Sequence, residues 1–195
     1  MSKRFALLSA VAFSALAITT IVVAPATAED KKMMKSELSG EKTVMVGGAA
    51  MFPSKNIIQN AVNSRDHTTL VAAVKAAGLV ETLEGKGPFT VFAPTNAAFG
   101  KLPAGTVDTL VKPENKATLT KILTYHVVPG KLEASSLTNG KKLKTVEGEE
   151  LTVKLADGKV WIVDAKGGSS AVTIANVNQS NGVIHVVDTV LMPAS

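Results

Sequence analysis

Residues 181–193 read Asn-Gly-Val-Ile-His-Val-Val-Asp-Thr-Val-Leu-Met-Pro, and this stretch decides the fold. It opens on an Asn-Gly pair, which favours a turn that needs positive φ. The residues that follow are rich in valine and isoleucine, as strands are. Side chains alternate along a strand, so His185 and Ile184 lie on opposite faces. We expect this last strand to run through the middle of the sheet and close the fold.

The sequence before this stretch also predicts strands, back to residue 126. Apolar and polar residues alternate in part over residues 142–146, 150–155 and 160–163, and residues 171–177 continue the pattern. Ala-Asp-Gly-Lys at residues 156–159 predicts a tight hairpin between two of these strands. Strands therefore dominate residues 126–192.

Helical periodicity dominates residues 54–125 instead. Asp66 is predicted to cap one helix, and Gly78 is predicted to end it. Thr95 follows a buried strand at residues 89–93 and predicts a cap for a helix that begins at Asn96. The separation of helices from strands favours an α+β fold, with helices packed against an antiparallel or mixed sheet.

Two more stretches accompany residues 181–193. Residues 87–99 read Gly-Pro-Phe-Thr-Val-Phe-Ala-Pro-Thr-Asn-Ala-Ala-Phe, and residues 125–130 read Tyr-His-Val-Val-Pro-Gly. The three stretches, in this order over residues 53–193, resemble the fasciclin domain. The match is close to the single-domain secreted fasciclin proteins of bacteria.

The resemblance implies a wedge of two β-sheets, with about seven strands in all and about five helices packed on them. It also implies a role in adhesion or extracellular association rather than catalysis. We therefore expect residues 53–193 to form one fasciclin domain, and we expect the protein not to be an enzyme.

The resemblance also assigns candidate site residues. Animal relatives link adhesion to a Tyr-His pair, present here as Tyr125-His126, and to an Asp-Ile pair, which reads Asn176-Val177 here. The acidic group of the second pair is missing, so the sequence does not predict integrin-like recognition. These four residues are the predicted contacts for a partner. The residues predicted to support the fold are Thr95, Asn96, Asn181, Gly182, His185 and Asp188.

Residues 1–28 predict a secretory signal peptide. Lys3 and Arg4 precede an uncharged apolar run, and Ala26-Thr27-Ala28 forms a small-x-small cleavage site before Glu29. An uncleaved anchor is the alternative, because the apolar run is long enough to span a bilayer. We expect cleavage between Ala28 and Glu29, a secreted or periplasmic protein with no stable membrane span, and a flexible tether and N-terminal arm over residues 29–52.

Composition excludes several classes of function. The chain has no cysteine, so it holds no disulfide, thiolate metal site or thiol nucleophile. Its one Trp and one Tyr make a stacking platform for bases or sugars unexpected. Beyond the signal peptide Arg65 is the only arginine, and specific phosphate and base contacts favour arginine, so we expect no nucleic-acid partner. The lysines at residues 141, 142 and 144 leave open a contact with acidic polysaccharide or anionic headgroups.

Catalytic, cofactor and metal sites are not predicted. The three histidines are far apart in sequence, whereas a metal site needs clustered ligands. A hydrolase using Ser180, His185 and Asp188 is disfavoured, since the last two side chains point to opposite strand faces and no nucleophile elbow is present. We expect His126 and His185 to form hydrogen bonds inside the fold, between the helices and the sheet.

The sequence thus predicts an exported, non-catalytic adhesion or association domain. Its partner is a protein or a polysaccharide at the cell envelope or extracellular matrix. The alternative is a periplasmic carrier or sensor of a small ligand, which needs an apolar pocket between the helices and the sheet. Sequence patterns do not predict the oligomeric state.

Overall fold

The computed structural model describes residues 42–194, in which helices precede most of the strands. The six α-helices of this range are α1 (Ile57–Ala61), α2 (Thr68–Ala77), α3 (Val80–Glu84), α4 (Asn96–Gly100), α5 (Thr106–Leu110) and α6 (Lys116–Tyr125). The strands are β1 (Val44–Val46), β2 (Ala49–Met51), β3 (Phe89–Pro94), β4 (Val127–Pro129), β5 (Lys142–Lys144), β6 (Glu150–Ala156), β7 (Lys159–Val163), β8 (Ser169–Gln179) and β9 (Gly182–Val187). The predicted α+β class is confirmed.

The predicted signal peptide lies outside the described residues, as does most of the predicted tether. No helix within residues 42–194 is both long enough and apolar enough to cross a membrane.

Strands β3 to β9 form one sheet in the order β4-β3-β9-β8-β7-β6-β5. Strand β9 runs parallel to β3 and antiparallel to β8, and all six of its residues are buried. The prediction that the last strand runs through the middle of the sheet is confirmed. Burial on both faces explains why this strand reads as a nearly continuous apolar run.

Strand β8 connects the two halves of this sheet. It pairs with β7 through residues 169–171 and with β9 from Val172 onward. Two register shifts interrupt the second pairing, and such bulges bend a strand. The halves β4-β3-β9 and β7-β6-β5 are the two sheets expected from the resemblance. They also meet at their outer edges, where the Val146 N–H donates to the Val127 carbonyl at 2.8 Å.

Two hydrophobic clusters fill the part of the chain that the structure describes. The first packs the helices against β3, β8 and β9 and includes the buried hairpin residues Val46, Ala49 and Met51. The second lies under β5, β6 and β7 and includes Tyr125, Leu151 and Ile162 among other side chains. The hairpin β1–β2 therefore packs on the core although it precedes residue 53, and the predicted domain boundaries stay predictions.

Two of the predicted helix signals are confirmed and one is wrong. Gly78 ends α2 in the left-handed conformation with φ +73°. Thr95 caps α4 by accepting a hydrogen bond from the Ala98 N–H at 3.2 Å. Asp66 does not cap α2, because it lies inside a short 3₁₀ helix and His67 takes the cap position.

Candidate functional site

Asn181 joins two helices to the central strands. Its Oδ1 accepts from the Ile57 N–H at 3.1 Å, at the start of α1. Its Nδ2 donates to the carbonyls of Leu83 (2.7 Å) and Gly85 (3.0 Å), at the end of α3. Its own carbonyl accepts from the Phe89 N–H at 3.0 Å. The side chain is buried, so these bonds satisfy groups that water does not reach.

Gly182 follows Asn181 and lies very close to the backbone of β3. A Cβ at this position would overlap the Phe89 carbonyl, and the φ is +159°. Glycine is therefore required by the proximity of β3. Sequence reasoning assigned Asn181-Gly182 to a turn and missed these contacts, because the partners lie about a hundred residues away in the chain.

His126 links the end of α6 to the C-terminal segment. Its Nδ1–H donates to the Ile122 carbonyl at 2.8 Å, and its Nε2 accepts from the Leu191 N–H at 3.0 Å. The prediction that His126 forms hydrogen bonds inside the fold is confirmed. Burial lowers the pKa of this imidazole to about 4, so the ring is neutral in the folded protein at neutral pH.

Tyr125 ties the same helix to the start of β6 and to the turn after β7. Its hydroxyl accepts from the Ala165 N–H at 2.9 Å and donates to the Glu150 carbonyl at 3.4 Å. Burial raises the pKa of the phenol to about 12. The side chain is fully buried, and its role in the described structure is to hold α6 against the second cluster.

His185 connects β9 to the loop after β4. Its Nε2–H donates to the Leu132 carbonyl at 2.7 Å, and its Nδ1 accepts from the Asn176 N–H at 3.4 Å. The ring stacks on Phe92 with centroids 5.7 Å apart. Burial lowers the pKa of His185. The imidazole therefore acts as a neutral bridge. The predicted hydrogen bonding of His185 inside the fold is confirmed, but its partners lie in a loop and in β8 and not in the helices, so the predicted link between helices and sheet is wrong for this residue.

Asn176 lies at a bulge opposite His185. Ile174 pairs with Val186 and Val177 pairs with Ile184, so β8 has one residue more than β9 between these pairs. Asn176 adopts a left-handed conformation with φ +57°, which asparagine tolerates better than most residues. Its Oδ1 accepts from the Ala134 N–H at 2.7 Å.

Only one of the four predicted contact residues is exposed. Asn176 faces solvent, whereas Tyr125, His126 and Val177 are 0%, 3% and 1% exposed. Direct contact with a partner would require the other three to leave the core. The proposal below therefore uses Asn176 and not its three predicted companions.

Asp188 fastens the end of β9 to β8. Its Oδ1 accepts from the Ala171 N–H at 2.9 Å, and Lys101 Nζ lies 3.3 Å from Oδ2. Partial burial opposes ionisation, but the hydrogen bonds from Ala171 and Thr189 and the Lys101 ammonium keep the pKa of this carboxyl below its usual value. The carboxylate is thus held in a structural role.

Asn96 replaces the cap that Asp66 was predicted to supply. Its Oδ1 accepts from the Thr69 N–H at 3.0 Å, in the first turn of α2. Its Nδ2 donates to the Arg65 carbonyl at 2.8 Å. Thr95 and Asn96 together therefore fix the starts of two helices beside the end of β3.

A cavity of about 40 Å³ lies between the helices, the hairpin and the sheet. Its lining is apolar, with side chains such as Met51, Leu70 and Ile184, apart from His67 and His126. His67 Nδ1 lies 2.9 Å from Ser64 Oγ, while its Nε2 has no hydrogen-bond partner among the described residues.

Comparison with known proteins identifies the family that has this architecture. The family model of the fasciclin domain matches residues 65–193. The chain belongs to the fasciclin family. The resemblance predicted from the three sequence stretches is confirmed.

Relatives of this fasciclin protein occur in several bacteria. Protein sll1483 of Synechocystis sp. is 52% identical over 153 residues, covering 78% of this chain and 82% of that protein. The cell surface glycolipoprotein MPB83 of Mycobacterium bovis is 33% identical over 181 residues, covering 90% of this chain and 78% of that protein. A FAS1 domain pair from the insect cell adhesion molecule fasciclin I matches with a TM-score of 0.64 at 18% identity, covering 72% of this chain and 52% of that chain, which shows the shared fold.

Acid is expected to destabilise this fasciclin domain through its buried histidines. The pKa of His126 is about 4 in the folded chain and about 6.5 when unfolded, so the unfolded state binds more protons between these values. Lowering the pH from 7.5 to 5 should therefore cost about 2 kcal/mol from His126 alone. Urea unfolding at the two pH values measures this loss. An unfolding free energy at pH 5 equal to or above that at pH 7.5 would contradict the structural role of the neutral ring.

Proposed function

We propose that this fasciclin domain is an exported, non-catalytic association module that binds a protein or polysaccharide partner at the cell envelope or extracellular matrix. The observation that carries the proposal is that the polar side chains inside the fold form hydrogen bonds with the protein's own backbone. Examples are His126, His185 and Asp188, whose side chains form hydrogen bonds with backbone groups. Both ring nitrogens of His126 and of His185 are occupied, so neither histidine has a free proton or lone pair for a substrate.

The relatives support the same proposal. MPB83 is named as a cell surface protein, and the solved FAS1 pair comes from a cell adhesion molecule. The predicted signal peptide would export this chain as a secreted or periplasmic protein.

We propose that one contact surface lies around Asn176. The bulge of β8 exposes this side chain, and two hydrogen bonds fix its backbone and its amide against His185 and Ala134. A polar group that is fixed before binding loses little conformational entropy when a partner arrives. The surface therefore suits recognition by shape and hydrogen bonding.

The carrier or sensor function is the second candidate, and the apolar cavity is the observation that favours it. Its volume of about 40 Å³ is far below the several hundred Å³ of small-molecule sites. A ligand of ordinary size would have to displace core side chains such as Leu70 and Val74. We therefore place association first.

Sedimentation with isolated envelope fractions tests the association. The full chain should bind saturably at micromolar concentration, and Asn176→Gly should weaken binding by about fivefold or more, as loss of a central contact does. Glycine keeps the left-handed backbone, so the fold should survive. Asn139→Ala is the matched control, since Asn139 is another exposed asparagine whose Oδ1 accepts one backbone hydrogen bond, from Leu155. Equal binding by both variants would exclude the Asn176 surface.

A further inference from the structure

The outer face of β5, β6 and β7 is basic. Alternation along the strands directs Leu143, Leu151 and Ile162 into the second cluster, so their neighbours in sequence point outward. The outward lysines are Lys142, Lys144, Lys154 and Lys159. All four are exposed. We call this surface the basic face.

The acidic residues beside the basic face are fewer than its lysines. Glu150 pairs with Lys142 at 3.2 Å, and Asp157 lies in the turn between β6 and β7. Lys144, Lys154 and Lys159 form no ion pair with any other described residue. The face therefore presents uncompensated positive charge in rows set by the strand spacing of about 4.8 Å.

Trp161 lies on the basic face, between the lysines. Its register partners are Lys154 on β6 and Ala171 on β8. It is half-buried and forms one wall of an open groove of about 450 Å³. The other groove residues are Lys154, Ala156, Asp157, Val163, Gly167 and Ser169. The indole N–H finds no acceptor among the described residues.

This combination differs from what a membrane or a nucleic acid requires. Trp161 lines a groove and does not project from the face, so it is poorly placed to enter a bilayer. The face carries lysine and no arginine, and one aromatic ring does not provide successive stacking positions for bases. A chain of sugar rings, by contrast, offers C–H faces for the indole and hydroxyl groups for the polar walls.

We propose that the basic face binds a carboxylated polysaccharide, with Trp161 packed against a sugar ring and the lysines paired with the acid groups along the chain. Lysine ammonium groups attract carboxylates without demanding a fixed geometry, which suits a flexible polymer. The groove volume of about 450 Å³ lies within the range of ligand sites. The proposal rests on the proposed association function and names one partner class, at a surface distinct from Asn176. This proposal departs from the expectation from composition that the single Trp would not serve as a platform for sugars.

The single Trp makes the test direct, because all indole fluorescence comes from the groove. Alginate, a carboxylated polysaccharide, is added to the full chain at low ionic strength, and acrylamide quenching of Trp161 is measured. We expect alginate to protect Trp161 and neutral dextran to leave it unprotected. Added salt should release the alginate, since screening weakens exposed charge pairs.

Matched charge variants locate the contact. Lys154→Gln combined with Lys159→Gln should weaken alginate binding by about tenfold or more. Lys86→Gln combined with Lys112→Gln removes the same charge from exposed lysines outside the basic face and should change binding by less than about twofold. Urea midpoints of both double variants confirm that each is folded.

Three results would overturn the proposal: no protection of Trp161 by alginate, equal effects of the two double variants, or stronger protection by phosphatidylglycerol vesicles than by alginate. The outcome also separates this proposal from the association function. Envelope binding without alginate binding would overturn only the proposal for the basic face. Absence of both kinds of binding would overturn that proposal and the association function.

Discussion

Asn181→Ala is expected to lower the free energy of unfolding by about 4 kcal/mol, because a buried group left without its partner costs about 1–3 kcal/mol. The substitution removes the partners of the Ile57 N–H and of the Leu83 and Gly85 carbonyls at once. It therefore detaches the start of α1 and the end of α3 from the turn before β9. Urea unfolding of wild type and variant measures the difference.

A matched control separates this effect from the loss of any asparagine. Asn63 is exposed, and its amide donates one hydrogen bond to the Gln59 carbonyl at 2.7 Å. Asn63→Ala should cost about 0.5 kcal/mol, as exposed single hydrogen bonds do. A loss below about 1 kcal/mol for Asn181→Ala would mean that Asn181 does not organise the helices.

Gly182→Ala is expected to cost about 3 kcal/mol or more, because the new methyl group would overlap the Phe89 carbonyl on the neighbouring central strand. Strands β3 and β9 pair at this point, with Phe89 opposite Gly182. Relief of the overlap would force apart two strands at the centre of the sheet. Thermal or urea unfolding reports the loss.

Gly100→Ala is the control glycine substitution. Gly100 ends α4, and a Cβ there would meet nothing within 4 Å. Alanine should stabilise the protein by about 0.5–1 kcal/mol, because it restricts the unfolded chain and favours helix. The two substitutions should therefore have opposite signs, and a neutral Gly182→Ala would contradict the described approach of β3 and β9.

Local patterns predicted the elements well because their causes are local. Gly78 ends α2 through its own backbone freedom, and Thr95 caps the helix that follows it. The turn at Asp157-Gly158 joins the predicted strands through two residues with positive φ. Each of these signals depends on neighbours within a few residues, which the sequence displays directly.

The roles of the polar residues depended on distant contacts and were predicted less well. Aspartate is favoured at helix caps, so Asp66 was predicted to cap α2. Asn96 reaches α2 from another part of the chain and performs that role instead. The Tyr125-His126 pair read as a partner contact by resemblance, yet both side chains are buried in hydrogen-bonded positions. Alternation along β5, β6 and β7 was visible in part, but their common face required the register of the sheet.

The lack of cysteine gives these hydrogen bonds their importance. A domain without disulfides depends on its core and on the satisfaction of its buried polar groups. Asn181, His126 and His185 connect helices and loops to the central strands across long stretches of sequence. These polar groups therefore stabilise the fold, and the association proposed above would use the exposed surface.

Sedimentation of the full chain with isolated envelope fractions tests the central claim most directly, namely that this fasciclin domain works by binding through its surface. We expect saturable binding at micromolar concentration that the buried-core control, a folded His126→Asn variant, retains. No saturable binding at high micromolar concentration would contradict the account.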